Sequence, residues 1–120
     1  MASSVLVVDD DPNLVRLMSK FLTLEGFAPV PAANGAEALK YLRDGGEASV
    51  ILLDLRMPVM DGWGFRREQL RDPAFARIPV VVLSGADGER VPEIRAAAVF
   101  QKPMQLGELI PVLRDLCPHS

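Results

Sequence analysis

The sequence predicts a doubly wound α/β domain built on a parallel sheet, and three observations carry that prediction. Short aliphatic runs recur as SVLVV (Ser4–Val8), SVILL (Ser49–Leu53) and PVVVL (Pro79–Leu83), each apolar on successive residues, the pattern of strands covered on both faces. Helical periodicity fills the stretches between them, so that strand and helix alternate five times. Each run then gives way to polar residues: Asp9 and Asp10, Asp54, and Ser84.

The first strand is SVLVV. The helix after it spans Pro12 to Glu25, with Leu14, Leu17, Met18, Phe21 and Leu22 on one face, Asp11 as N-cap, Pro12 at the first helical position and Gly26 as the stop. FAPVP (Phe27–Pro31) is a weaker strand. Its two prolines cannot donate to a ladder, which places it at an edge. Asn34 caps a second helix carrying Ala38, Leu39 and Leu42 and ending at Asp44–Gly46. After SVILL, a third helix is expected from about Trp63 to Leu70 with Phe65 facing inward. After PVVVL, a shorter fourth is expected around Pro92–Ala98. AVFQ (Ala98–Gln101) completes five strands, one of them expected at an edge. The last helix, Gln105 to Leu116, aligns Leu106, Leu109, Ile110, Leu113 and Leu116 but contains Pro111, whose ring presses on the Gly107 carbonyl and predicts a kink.

At 120 residues the chain reads as one domain, 1–120, long enough for a single sizeable core. Hydrophobic residues at 49% and charged residues at 24% exclude a disordered tail. The net charge of −3 argues against a broad phosphate-binding surface, and no direct nucleic-acid contact is expected. Cys117 is the single cysteine, so no internal disulfide can form, which fits a reducing cytoplasm. MASS opens without a basic or long apolar leader, and the apolar runs are far shorter than the roughly 20 residues of a spanning helix. The expected location is cytoplasmic, with no membrane contact.

The chemistry is concentrated where VLVV meets Asp9, Asp10 and Asp11. Two like charges about 4 Å apart cost roughly 4 kcal/mol at an effective dielectric near 20, and a bound cation would justify crowding them. Ligands of doubly wound sheets bind beyond the carboxyl ends of the strands. If the strand order is 2-1-3-4-5, Asp9, Asp10 and Asp54 converge into a hard-oxygen site suited to Mg2+. Lys102 adds a positive charge and Ser84 a hydroxyl donor, so that Asp54 could act as a nucleophile forming an acyl phosphate. An isolated Asp pair would serve only the turn, and Asp11 is left to capping.

Taken together, VLVVDDDPN, VILLDLRMPVMDGW, VVLSGA and FQKPM stand in the order, and mostly at the spacing, of the receiver domain of two-component response regulators, which the whole chain resembles. The resemblance implies a flavodoxin-like (βα)5 sandwich with strand order 2-1-3-4-5. It also implies Asp54 as phosphoacceptor, Asp10 as a direct Mg2+ ligand, Asp9 as a looser or water-mediated one, and the Arg56 backbone carbonyl as another. Ser84 matches the switch hydroxyl and Lys102 the motif lysine, with a cis bond to Pro103 usual in the family. Gly62 matches the glycine that allows the turn after MPVMD.

Two departures stand out. Three residues before Lys102, where the family often carries Tyr or Phe as a rotameric switch, this chain has Val99, while Phe100 should face the other way. Ser84 to Lys102 is also about one helical turn short of the family norm, so the fourth helix should be truncated or irregular. Trp63 and Phe65 read as packing residues, and Arg66, Arg67 and Arg71 as a solvated face. Cys117 reads as a buried helix end and His119 as a solvated tail residue. Arg56 and Ala86 flank the route for attacking water.

The function expected is a phosphoacceptor signalling module and not an enzyme. Asp54 takes a phosphoryl group from a sensor histidine kinase or phosphotransfer protein in a Mg2+-dependent step, and a downstream protein partner reads the change. A homodimer is compatible with this. The chain ends after the last helix, so it reads as a stand-alone receiver or as a piece of a larger regulator. A receiver-fold scaffold with decayed readout is the alternative. A haloacid-dehalogenase-type phosphohydrolase is disfavoured because Asp54-Leu55-Arg56 lacks that class's second acid.

Overall fold

In the computed structural model, which describes residues 2–85, 90–102 and 105–117, five strands form one all-parallel sheet in the order β2-β1-β3-β4-β5. The strands are β1 (Ser4–Val8), β2 (Ala28–Ala32), β3 (Val50–Asp54), β4 (Val80–Ser84) and β5 (Ala98–Gln101). The helices are α1 (Pro12–Leu24), α2 (Gly35–Arg43), α3 (Gly62–Arg71) and α4 (Leu106–Leu116). An open sheet has two edges, so β5 joins the expected β2 at the rim. Pro103, Ala86 and His119, to which expectations were attached, lie outside the described residues.

Strand pleating divides the core into two layers. Leu6, Val8, Ile51, Leu53, Val80 and Val82 face α2 and α3, where Leu39, Leu42 and Phe65 close the layer together with Ile94 from the segment before β5. Val5, Val7, Val50, Leu52, Val81 and Leu83 face α1 and α4, meeting Met18, Leu22, Leu109 and Leu113. Each such fully buried side chain stabilises the fold by about 1.5–3 kcal/mol. Continuous aliphatic runs satisfy both layers at once, which is why β1, β3 and β4 could not alternate.

Local signals set the helix ends. The Asp11 carboxylate accepts from the amides of Asn13 and Leu14, and Asn34 accepts from Glu37. Gly26 stops α1 in a left-handed conformation, φ +92°, which glycine adopts without strain.

The fourth helix is shortened, as its spacing predicted. It is reduced to a single 3-10 turn, Val91–Ile94, ending at Arg95 with φ +54°. A turn this short cannot bury much of its own surface, and side chains of α3 hold it instead. Arg66, expected on a solvated face, is half-buried: its Nε donates to the Ile94 carbonyl at 2.9 Å and its Nη2 to the Arg95 carbonyl at 3.2 Å. Its Nη1 donates to Gln69 at 2.8 Å, and the fully buried Gln69 donates in turn to the carbonyls of Phe75 and Ile78. Burial pulls the Arg66 pKa down, yet a guanidinium stays charged. Trp63 completes the clamp, donating Nε1–H to the Arg90 carbonyl at 2.9 Å while the Arg90 guanidinium stacks 4.4 Å from its ring centre.

Replacing Arg66 by Met keeps the aliphatic stem and removes the donors to both carbonyls. We expect a loss of about 1–3 kcal/mol, the cost of leaving such groups unpaired. It would be read as a lower urea midpoint with an unchanged slope and faster amide exchange over residues 91–98.

Candidate functional site

At the carboxyl edge the parallel register sets the site. β1 pairs with β3, Val8 opposite Leu53, so the residues that follow, Asp9 and Asp54, come out side by side. One carboxylate oxygen from each of Asp9, Asp10 and Asp54 lies within 4.8 Å of the others. Asp9 and Asp54 are buried and Asp10 is exposed. The three acids singled out from the sequence are therefore brought together.

Lys102 is delivered by the far edge. Its backbone amide donates to the Ser84 carbonyl at 2.6 Å, continuing the β4–β5 ladder. Its ammonium then stands 2.9 Å from Asp9 Oδ2 and 3.6 Å from Asp54 Oδ1. Asp9 Oδ1 also accepts the Asp11 amide at 3.0 Å. Two of Asp9's acceptor positions are thus occupied.

The electrostatics follow from burial and crowding. Desolvation pushes the Asp54 carboxyl above its usual range, the negative charges of Asp9 and Asp10 push it further, and Lys102 with the Leu55 amide only partly oppose them. For Lys102, desolvation works to lower the pKa, but hydrogen bonding and charge from Asp9 and Asp54 outweigh it and the net shift is upward. The ammonium therefore stays charged at neutral pH.

Ser84 ends β4, is buried, and its hydroxyl has no hydrogen-bond partner among the described residues. It lines a cleft of about 440 Å³ together with Val91, Pro92, Ala96 and Val99. Val99, on the wall of this cleft, is 49% exposed. Phe100 points to the opposite layer, as alternation required.

The loop leaving Asp54 is tightly folded. The Gly62 amide donates to the Leu55 carbonyl at 2.9 Å. A Cβ on Gly62 would lie 2.7 Å from the Asp54 carbonyl oxygen and 2.8 Å from the Leu55 Cα. Lack of space, and not a left-handed φ, is what requires glycine here. Arg56 lies at the start of this loop with its guanidinium 5.8 Å from the Trp63 ring centre.

The response regulator receiver domain model matches residues 5–114. This chain belongs to the response regulator receiver family. The receiver is 35% identical to a Haemophilus influenzae transcriptional regulatory protein, a CpxR homolog, over 98% of this chain and 52% of that protein. It is 36% identical to the Synechocystis response regulator Rre1 over 94% of this chain and 51% of that one. The chain thus spans about half the length of the curated relatives it matches. Among solved structures it superposes on a Pseudomonas putida response regulator receiver protein with a TM-score of 0.88 at 27% identity, covering 96% of this chain and 98% of the other. It also superposes on Thermotoga maritima TrrA, solved in complex with Mg(2+)-BeF, with a TM-score of 0.82 at 27% identity over 95% and 98% of the two chains. No helix among the described residues is long and apolar enough to cross a membrane.

Long-range contacts of this receiver escaped sequence reasoning. Arg66 looked like its exposed neighbours Arg67 and Arg71, since nothing local marks the one arginine that reaches across to the 3-10 turn. The contact of Gly35 with Met60 also escaped, although a glycine directly after an N-cap asparagine could have prompted the question of what approaches it.

In metal-free buffer Asp54→Asn should raise the melting temperature at neutral pH. The folded-state pKa of Asp54 is raised, so its ionisation disfavours the fold as pH rises through the interval from the ordinary carboxylate value of 3.8 up to the folded value. The variant's advantage should therefore vanish below that interval and be complete above it. A melting-temperature difference independent of pH would contradict this.

Proposed function

We propose that this receiver is a phosphoacceptor signalling module in which Asp54 takes the phosphoryl group. The observation that carries this reading is the meeting of Asp9, Asp10, Asp54 and Lys102 at one strand edge, with a buried Ser84 hydroxyl, unpartnered among the described residues, on the neighbouring strand. Asp10 and Asp54, with Asp9 and the Arg56 backbone carbonyl, would hold Mg2+. The donor set fits: all oxygen, largely anionic and partly open to solvent. When bound, the ion offsets the mutual repulsion of these carboxylates and of an incoming phosphoryl group.

The chain's own residues supply the rest. An Asp54 carboxylate oxygen attacks phosphorus, the new P–O bond replacing the donor's P–N bond, and the imidazole leaves with the electron pair and takes up a proton. Lys102 stabilises charge on the transferring oxygens, and Ser84 donates its hydroxyl to one of them. Hydrolysis reverses the state: water attacks phosphorus and Asp54 leaves as carboxylate. The added charge of about −1.5 to −2 then shifts an equilibrium between two surface conformations. Upstream, the reading calls for a sensor histidine kinase or phosphotransfer protein in the cytoplasm, and downstream for a protein partner.

Incubation with acetyl phosphate and Mg2+ should add one phosphoryl mass to the wild type. Chelation of the metal or Asp54→Asn should abolish it, and Lys102→Ala should slow it by roughly two to three orders of magnitude, the scale on which removing one transition-state donor acts. An adduct that survives Asp54→Asn would overturn the assignment. Beryllofluoride with Mg2+ should move the amide resonances of Ser84 and Lys102. A wild type that takes up phosphate while these stay fixed would favour a scaffold with decayed readout.

A further inference from the structure

The loop from Leu55 to Asp61 is held at two backbone contacts that both require glycine. One is Gly62 at its base. The other is Gly35, the first residue of α2, whose N–H donates to the Met60 carbonyl at 2.9 Å. A Cβ at position 35 would lie 2.8 Å from Met60 Cγ, 2.9 Å from the Met60 carbonyl oxygen and 3.0 Å from Phe65 Cβ. Phe65 is fully buried and the carbonyl is backbone, so neither can give way easily.

Between these contacts the backbone is strained. The Met60 amide donates to the Pro58 carbonyl at 2.8 Å, closing a three-residue turn around Val59, whose φ is +69°. Such a turn is rare, and for a β-branched residue this region is an outlier. Val59 is 86% exposed, so its own side chain recovers little by packing. Strain of this kind persists only where the surroundings over-determine it. The surroundings here are the start of α2.

We propose that Gly35 is a positioning residue for the acceptor site. Having no side chain, it lets the first N–H of α2 reach the Met60 carbonyl and hold the strained loop, thereby fixing the backbone that leaves Asp54. It acts through Met60 and touches neither phosphoryl group nor metal. The proposal rests on the phosphoacceptor reading.

The test compares wild type, Gly35→Ala, Val59→Gly and the double variant, using acetyl phosphate with Mg2+ as the probe. Gly35→Ala should slow phosphorylation by about tenfold or more and raise the half-saturating Mg2+ concentration, the size expected when a supporting contact of a metal site is lost. Val59→Gly alone should melt at higher temperature, because glycine accepts the positive φ. In the Gly35→Ala background it should restore most of the rate, since the loop then needs no restraint. Leu42→Ala, a core truncation in the same helix, should lower stability without changing either kinetic quantity. Asn34→Ala, which frays the same helix end without inserting a Cβ, should reproduce the slowing at smaller amplitude, and it serves if Gly35→Ala fails to fold.

A Gly35→Ala protein phosphorylated like wild type at every Mg2+ concentration, or one not rescued by Val59→Gly, overturns the proposal. If wild type itself takes no phosphoryl group, the functional reading fails and amide exchange decides the rest. Gly35→Ala should then speed exchange at Met60 and Gly62, with Val59→Gly slowing it again. Unchanged exchange would sink the restraint as well.

Discussion

Like-charge crowding at the ends of two adjacent strands is the constraint around which the rest of the structure is arranged. Asp9 and Asp54 emerge side by side because β1 and β3 are neighbours in register, and Asp10 follows directly. A fold could relieve this by slipping one strand, but a one-residue slip would turn every buried aliphatic of that strand toward the wrong layer. Each of the central strands buries all of its aliphatic residues, so the register is expensive to change. The repulsion is met instead by an ammonium brought from the far edge, where the β4–β5 ladder continues one residue beyond the strand to fix the Lys102 backbone.

The second constraint is the cost of a missing helix. With the segment before β5 reduced to one 3-10 turn, Val91, Ile94 and Ala96 supply the apolar cover over β4, and Val99 on β5 is left half-exposed. Hydrogen bonds add to this packing: Arg66 caps the turn's last carbonyls, Gln69 ties the loop after α3, and Trp63 holds Arg90. These groups hold position without filling volume. The cleft beside Ser84 and the half-exposed Val99 are the result. A valine has no ring with which to occupy that space, so whatever couples Ser84 to the surface in this chain does not pass through an aromatic side chain at position 99.

What could be read from the sequence was what depends on neighbours along the chain. Aliphatic runs marked three strands within one residue, Asp11 and Asn34 were recognisable caps, and two prolines put β2 at an edge. The acid cluster was legible for a related reason: strand ends in a doubly wound sheet have a known common destination, so the position of Asp54 in its motif already implied its meeting with Asp9 and Asp10. Contacts between segments distant in sequence were not legible. Arg66 and Arg67 are adjacent and chemically identical, and only the path of the 3-10 turn distinguishes them. Val59 sits in PVM with no local hint that its backbone must enter the left-handed region, because the requirement comes from α2.

The occupancy of Asp9 bears on how the acids divide their work. Its carboxylate already accepts the Asp11 amide through one oxygen and the Lys102 ammonium through the other, and it is buried. A carboxylate so engaged on both oxygens is held in place, whereas exposed Asp10 can turn toward a cation at little desolvation cost. This supports Asp10 as the direct ligand and Asp9 as the group that holds Lys102 ready. The ammonium's shorter distance to Asp9 than to Asp54, 2.9 Å against 3.6 Å, has a further consequence. Asp54, whose carboxyl is already pushed upward by burial and by its neighbours, is not locked in a tight ion pair that would have to break before it could act as a nucleophile.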